Sequence, residues 1–248
     1  MAIVNLSSVF FTAGDDMNIG DRMKRYEESA HHVLVRRMPV MIRVDGKAFH
    51  TYTRGLQKPF DKDFITAMSF TARTVAAKLQ GFKAAYIQSD EASFCITDYD
   101  DIDTQGWFDY DLAKVVSVSA SMMTLYFKRY HAAAFGAGNA FFDSRAFNVP
   151  ADDVVNCFLW RAKDWERNSI QMYAQSFFSH KQLQGKGRAD MHEMLHGIGK
   201  NWTTDLNNTE QNGVFLIKGE NGIITRDDVL PAYASVNEAI GHLFERKE

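Results

Sequence analysis

Pro39-Val-Met-Ile-Arg-Val-Asp45 is an apolar, β-branched run that ends on a carboxylate, and Gly46 follows it directly. The run reads as a strand and the glycine as its stop. What comes next fixes its neighbours. From Asp61 to Leu79, the residues Phe64, Met68, Ala72, Val75 and Leu79 recur at spacings of three and four. That spacing predicts an amphipathic helix, started near Pro59 or Asp61 and stopped by Gly81. Ala84 to Gln88 is a second strand, Ser89-Asp90-Glu91 a tight polar turn, and Ala92 to Thr97 the returning strand of a hairpin. Trp107 to Tyr130 reads as a long helix, and Asn139 to Val149 as a fourth strand. The order β-α-β-β-α-β is the split βαβ, or ferredoxin-like, plan: an α+β fold with an antiparallel sheet.

Around this centre the chain divides into an N-terminal extension over 1–20, the sheet domain over 21–150, and a helical region over 151–248 with a late hairpin. Met1 to Asp16 is apolar and then acidic and reads as a mobile extension, whereas Asp21 to Ala30 is charged, free of breakers and reads as a short helix. Asp152 to Lys181 and Leu183 to Trp202 carry helical patterns, while Gly213 to Lys218 and Ile223 to Thr225 make the hairpin. The 248 residues, 46% hydrophobic and 24% charged, are enough for a sizeable core. A net charge of -3 is wrong for a tight general nucleic-acid binder, so any RNA must meet a local basic patch, within one chain or across subunits. Cys95 and Cys157 lie in apolar stretches without metal-ligand spacing and read as buried free thiols, suited to a reducing cytoplasm. No apolar run approaches the ~20 residues of a membrane span, and the first residues lack a signal-peptide pattern.

Two acidic clusters carry the chemistry. In a split βαβ sheet the first strand lies beside one strand of the hairpin, which brings Asp45 and Asp90 to one end of the sheet. Carboxylates held together repel unless a cation or a proton sits between them. Mg²⁺ prefers oxygen ligands and completes its shell with waters and substrate phosphates. The Gly46 carbonyl is a candidate further ligand, because glycine permits close backbone approach. Taken singly, Asp-Gly and Ser-Asp-Glu also suit solvated turns. Lys47 and His50 follow the glycine, and Lys58 precedes the first helix, where an anionic triphosphate would be favoured; each also suits a plain surface position. His180, His192 and His196 lack a third ligand and read as surface histidines.

Read in order, these segments resemble one family. Asp21-Arg-Met-Lys-Arg-Tyr-Glu27 is similar to its N-terminal signature, and Ile42-Arg-Val-Asp-Gly-Lys-Ala-Phe-His50 to its metal and nucleotide segment. Lys58-Pro-Phe-Asp61 resembles its Lys-Pro-Asn-Asp stretch, Tyr86-Ile-Gln-Ser-Asp-Glu-Ala-Ser-Phe94 its second carboxylate segment, and Phe142-Asp-Ser-Arg145 its Phe-Asp-Gly-Arg strand. The family is that of the tRNA-His guanylyltransferases, and the resemblance runs from about Asp21 to Lys218. It implies a polymerase- and cyclase-like palm, a homotetramer, and addition of nucleotides to the 5′ end of tRNA in the 3′-5′ direction. It also implies two Mg²⁺ ions on Asp45, the Gly46 carbonyl and Asp90. The implied nucleotide site consists of Asp45, Gly46, Lys47, Ala48, Phe49 and His50 with Ser89 and Asp90, taking ATP, GTP and other NTPs. Arg145, Asn168 and Lys186 are candidate RNA or phosphate contacts, although a polar helix face explains Asn168 and Lys186 equally well.

One block departs from the family's eukaryotic members, which carry His-Ile-Asn-Asn-Leu-Tyr-Asn-Thr. Here the matching run is Glu166-Arg-Asn-Ser-Ile-Gln-Met-Tyr173. Asn168 stays in register, but Glu166 takes the histidine position. The run from Arg167 to Leu183, with Gly185-Lys186, resembles the bacterial and archaeal guanylyltransferase-like proteins, which repair 5′-truncated tRNA against the opposite strand. Templated tRNA repair is therefore the expected function, with specific tRNA-His guanylylation as its rival. A nucleotide cyclase would use the same palm, but the helical C-terminal region with Trp160-Arg161 and Arg167-Asn168 argues against it. A non-catalytic RNA-binding module is opposed by the intact Asp45 and Asp90 and by the acidic balance.

Overall fold

The computed structural model describes residues 18–131 and 139–245, so the expected extension over Met1 to Asp16 lies outside the described residues. The chain forms two compact units, 1–32 and 33–248. In the first, α1 (Ile19–Glu28) starts at Asn18, whose side chain accepts a hydrogen bond from the Asp21 amide.

The second unit is built on strands β1 (Val40–Gly46), β2 (Phe82–Gln88), β3 (Glu91–Ile96), β4 (Phe142–Asn148), β5 (Val214–Gly219) and β6 (Gly222–Arg226). They form one antiparallel sheet in the order β4-β1-β3-β2-β5-β6. The first four strands have the ferredoxin-like order. The late hairpin, β5 and β6, pairs with β2 and extends the same sheet, so β2 is a covered central strand, buried along its whole length.

Between β1 and β2 lie the short α2 (Phe49–Tyr52) and the long α3 (Lys62–Ala76). Asp61 caps α3 by accepting from the Phe64 amide at 2.9 Å. Gly81 turns the chain into β2 at φ +76°, and a Cβ there would lie 2.0 Å from the Thr97 carbonyl oxygen. The expected helix from Trp107 is shorter: α4 covers Leu112–His131. Trp107–Tyr110 is a separate tight turn, because Phe108, Asp109 and Tyr110 take positive φ values of 54°, 50° and 61°. After β4 the chain forms α5 (Val154–Gln175), α6 (His180–Leu183), α7 (Arg188–Gly197), α8 (Trp202–Asp205) and α9 (Asn208–Asn212), and α10 (Tyr233–Ile240) follows β6. The two long helical runs read from sequence are thus interrupted: α5 stops at Gln175, and Gly185 and Gly199 sit at positive φ in the breaks.

The period-two alternation of the strands divides the core. Val40, Ile42, Val44, Phe94 and Ile96 pack on one face with α3 and α4. Met41, Ala84, Tyr86, Cys95 and Phe215 pack on the other with α5 and α10. A smaller core joins Ile170 and Tyr173 of α5 to Leu195 and Trp202. Cys95 is buried, Cys157 is partly buried, and both are free thiols. No helix among the described residues is long and apolar enough to cross a membrane.

Candidate active site

At one end of the sheet, three chain segments converge. Asp45 is the register partner of Glu91 on β3 and of Asp143 on β4. The Gly46 amide donates to the Asp90 carbonyl at 3.1 Å, which ties the end of β1 to the hairpin turn. Asp45 and Asp90 therefore meet as their strand positions required. Glu91 does not belong to the turn: it is the first residue of β3 and 8% exposed. A side chain at position 46 is excluded, because a Cβ would lie 2.4 Å from the Phe49 ring. Phe49 itself is a core residue, packed against Phe64, Phe127 and Phe142, so of Phe49 only the backbone faces outward. Ala48, with φ 56° and ψ 35°, and Ser89, with φ 46°, are non-glycine residues in left-handed conformations, one beside each carboxylate segment. Such outliers concentrate at functional sites.

Asp45, Ser89, Asp90 and Asn168 line one cleft of about 360 Å³, with Arg161 and Trp165 of α5 on its far wall. Trp165 is buried and its indole N–H has no hydrogen-bond partner among the described residues. Lys47, His50, Lys58, Arg145 and Lys186 are not part of the cleft lining. Lys47 and His50 are exposed. Lys58 donates to the Thr53 carbonyl at 3.4 Å, and Arg145 pairs with Asp143 at 3.2 Å. Lys186 is exposed in the loop between α6 and α7. His192 is partly buried against Trp202, rather than a plain surface group, while His180 and His196 are exposed. A larger hollow of about 800 Å³ lies against β5, β6 and α10 but includes neither carboxylate. Chemistry, not size, singles out the smaller one.

The electrostatics fit a cation. Burial first, then the charge of Asp45, pushes the Asp90 carboxyl up to about 6. Burial, Glu91 and Asp143 raise Asp45 as well, and Arg145 and Arg43 offset only part of this. Two crowded carboxylates with raised affinity for protons have the same reason to hold a divalent ion. No group of three or more His, Cys, Asp or Glu side chains placed to hold a metal occurs among the described residues. A cation here would have Asp45, Asp90 and the Gly46 carbonyl as its candidate protein ligands and would draw the rest of its shell from water and phosphate oxygens, as Mg²⁺ commonly does.

Reading by residue type missed Arg161. Its Nε and one Nη donate to the two oxygens of Glu91 at 2.7 and 2.8 Å, and it also meets Asp164 at 3.0 Å. The available signal was a glutamate adjoining a wholly buried strand, which requires a cation from elsewhere in the chain.

A ferredoxin-like sheet that gathers two carboxylates at its strand ends is the architecture of a palm, which nucleotidyltransferases and nucleotide cyclases share. The comparisons make this specific. The family model for tRNAHis guanylyltransferase (Thg1) matches residues 20–150, and the chain belongs to this family. A bacterial tRNA(His) guanylyltransferase (Thg1)-like protein, solved in complex with ATP, is 40% identical, with a TM-score of 0.87 over 93% of this chain and all (100%) of that one. A second structure of a bacterial tRNA(His) guanylyltransferase (Thg1)-like protein, solved in complex with GTP, is 37% identical, with a TM-score of 0.79 over 92% and 99% of the two chains. The tRNA(His) guanylyltransferase of Schizosaccharomyces pombe is 27% identical over 74% of this chain and 75% of its own.

Proposed function

We propose that this nucleotidyltransferase adds nucleotides to the 5′ end of tRNA in the 3′-5′ direction, with Mg²⁺, and that it repairs truncated 5′ ends against the opposite strand. The observation that carries the reading is the junction of Asp45 and Asp90, tied by the hydrogen bond from the Gly46 amide to the Asp90 carbonyl.

The reaction has two transfers. An oxygen of the RNA 5′-phosphate attacks the α-phosphorus of ATP or GTP, and pyrophosphate leaves. The 3′-hydroxyl of the incoming NTP then attacks the activated 5′-phosphorus, and AMP or GMP leaves. A 5′-triphosphate end enters at the second transfer and releases pyrophosphate. Two Mg²⁺ ions held by Asp45, Asp90 and the Gly46 carbonyl would activate the attacking oxygen and neutralise the leaving phosphate. The chain's own groups orient the substrates. The backbone over 45–50 and the Ser89-Asp90 turn form the nucleotide side, with Lys47, His50 and Lys58 available to the triphosphate. Asn168 lines the same cleft, and Arg145 and Lys186, outside it, are the candidate contacts to RNA phosphate on this reading. The ATP and GTP complexes of the similar bacterial proteins support nucleotide substrates.

Glu166 supports repair over a strict tRNA-His identity. It stands where eukaryotic members have histidine, and here it accepts an ion pair from Arg188 at 2.7 Å. The rival reading, addition of one G to tRNA-His, draws on the relative named for that activity. Two 5′-labelled RNAs separate them: tRNA-His, and a 5′-truncated tRNA of another identity, each with Mg²⁺ and four NTPs. Extension of the truncated tRNA is the expected result. A single G added to tRNA-His alone would reverse the assignment. No growth of either RNA would reject both.

A further inference from the structure

Four carboxylates, Asp45, Asp90, Glu91 and Asp164 of α5, line the cleft, yet no metal-holding group of three is present among the described residues. Of these, Glu91 is the one that adjoins the Asp45–Asp90 pair in the sheet. It lies opposite Asp45 in the β1–β3 register, on the same face of the sheet, so nothing in the strand geometry keeps it from the pair. What holds it is Arg161 of α5. The guanidinium engages both Glu91 oxygens as a fork, at 2.7 and 2.8 Å, with side chains 11% and 10% exposed. The Ser93 hydroxyl donates to Glu91 Oε1 at 3.2 Å. Arg161 is fixed in turn by Asp164 at 3.0 Å and stacks over the Trp160 ring at 4.7 Å. A planar fork of this kind fits a carboxylate bidentately, and a lysine does not.

We propose that Arg161 is a positioning residue that withholds Glu91 from the metal site, so that the protein offers two carboxylates rather than three. This rests on the reading of Asp45 and Asp90 as metal ligands. Divalent-ion affinity follows ligand charge and number. A two-carboxylate site binds its cation weakly alone and tightly once triphosphate oxygens complete the shell. Arg161 thereby makes metal loading depend on the nucleotide. It also supports the turn mechanically, because Glu91 adjoins Asp90 and the fork ties that end of the hairpin to α5.

The test is Mn²⁺ binding to the full chain, read by electron paramagnetic resonance with and without GTP, with folding checked by circular dichroism. Arg161→Met should tighten nucleotide-free Mn²⁺ binding by about tenfold and shrink the enhancement that GTP gives. Adding Glu91→Gln to that variant should return the affinity to within about threefold of wild type, and Glu91→Gln alone should stay within the same range. A folded Arg161→Met protein that binds Mn²⁺ no more tightly than wild type overturns the proposal. So does Glu91→Gln alone weakening Mn²⁺ as much as Asp45→Asn does. If Arg161→Met does not fold, Arg161→Lys decides: it keeps the charge but loses the fork, and should tighten Mn²⁺ by about threefold, unchanged affinity being the contrary result. Wild-type Mn²⁺ binding by both Asp45→Asn and Asp90→Asn would instead remove the metal reading itself, whatever Arg161 does.

Discussion

The two faces of the central sheet differ most within a single strand. In β1, Val40, Ile42 and Val44 point to α3 and α4 and are each 0% exposed. The alternate residues Met41, Arg43 and Asp45 point to α5 and grow more polar toward the strand end. In β3, Ala92, Phe94 and Ile96 share the first face, while Glu91, Ser93 and Cys95 share the second. One face is a sealed apolar core, where burial stabilises the fold. The other begins apolar and ends in crowded carboxylates, of which Glu91 is held by Arg161; this crowding costs stability, and in the proposed function it supplies the chemistry. Neutralising or truncating residues on each face should therefore separate function from stability.

The largest effect falls on the charged face. Asp45→Asn or Asp90→Asn should slow nucleotide addition by roughly 10²–10³-fold or more while the protein stays folded, measured by single-turnover extension of labelled RNA. On the apolar face the order reverses. Phe94→Ala, in a fully buried position, should destabilise by about 3–5 kcal/mol in urea unfolding, with the extension rate per folded molecule close to wild type.

A third measurement joins the two. The Asp90 carboxyl lies near 6, above the ordinary carboxylate value of about 4. The folded protein therefore binds this proton more tightly than the unfolded chain does. Metal-free stability should fall as pH rises from about 4 to about 6, with the full cost present above that window. Asp90→Asn should weaken the dependence, leaving the part due to Asp45, and stabilise the metal-free protein at neutral pH by on the order of 2 kcal/mol, seen in thermal melts across pH. The smallest effect tests the sheet's extension. The buried Tyr86 hydroxyl donates to the Asn212 carbonyl at 2.8 Å, just before β5, and Tyr86→Phe should cost about 1 kcal/mol in urea unfolding.

The hairpin and its neighbours were legible because the signals were local: a polar turn at Ser89-Asp90 between two apolar runs, and a glycine after Asp45. Glu91 was misplaced into the turn because three consecutive polar residues carry no mark of where pairing begins. The break at Trp107–Tyr110 was invisible because Phe108, Asp109 and Tyr110 adopt positive φ without a glycine or proline among them to signal it. The Arg161–Glu91 fork joins residues 70 apart along the chain, and the pairing of β5 with β2 is likewise set by tertiary packing rather than by local pattern. Asp45 and Asp90 could be brought together from topology alone; the partner that keeps Glu91 aside could not.

The proposed repair activity requires that the opposite strand choose the added nucleotide. The direct measurement uses one 5′-truncated tRNA in four versions, differing only in the nucleotide opposite the first vacant position. Each is given all four NTPs, and the added residue is identified. On this account the added nucleotide changes with the opposing base and is its Watson–Crick complement in every version. Addition of G in all four versions would contradict it.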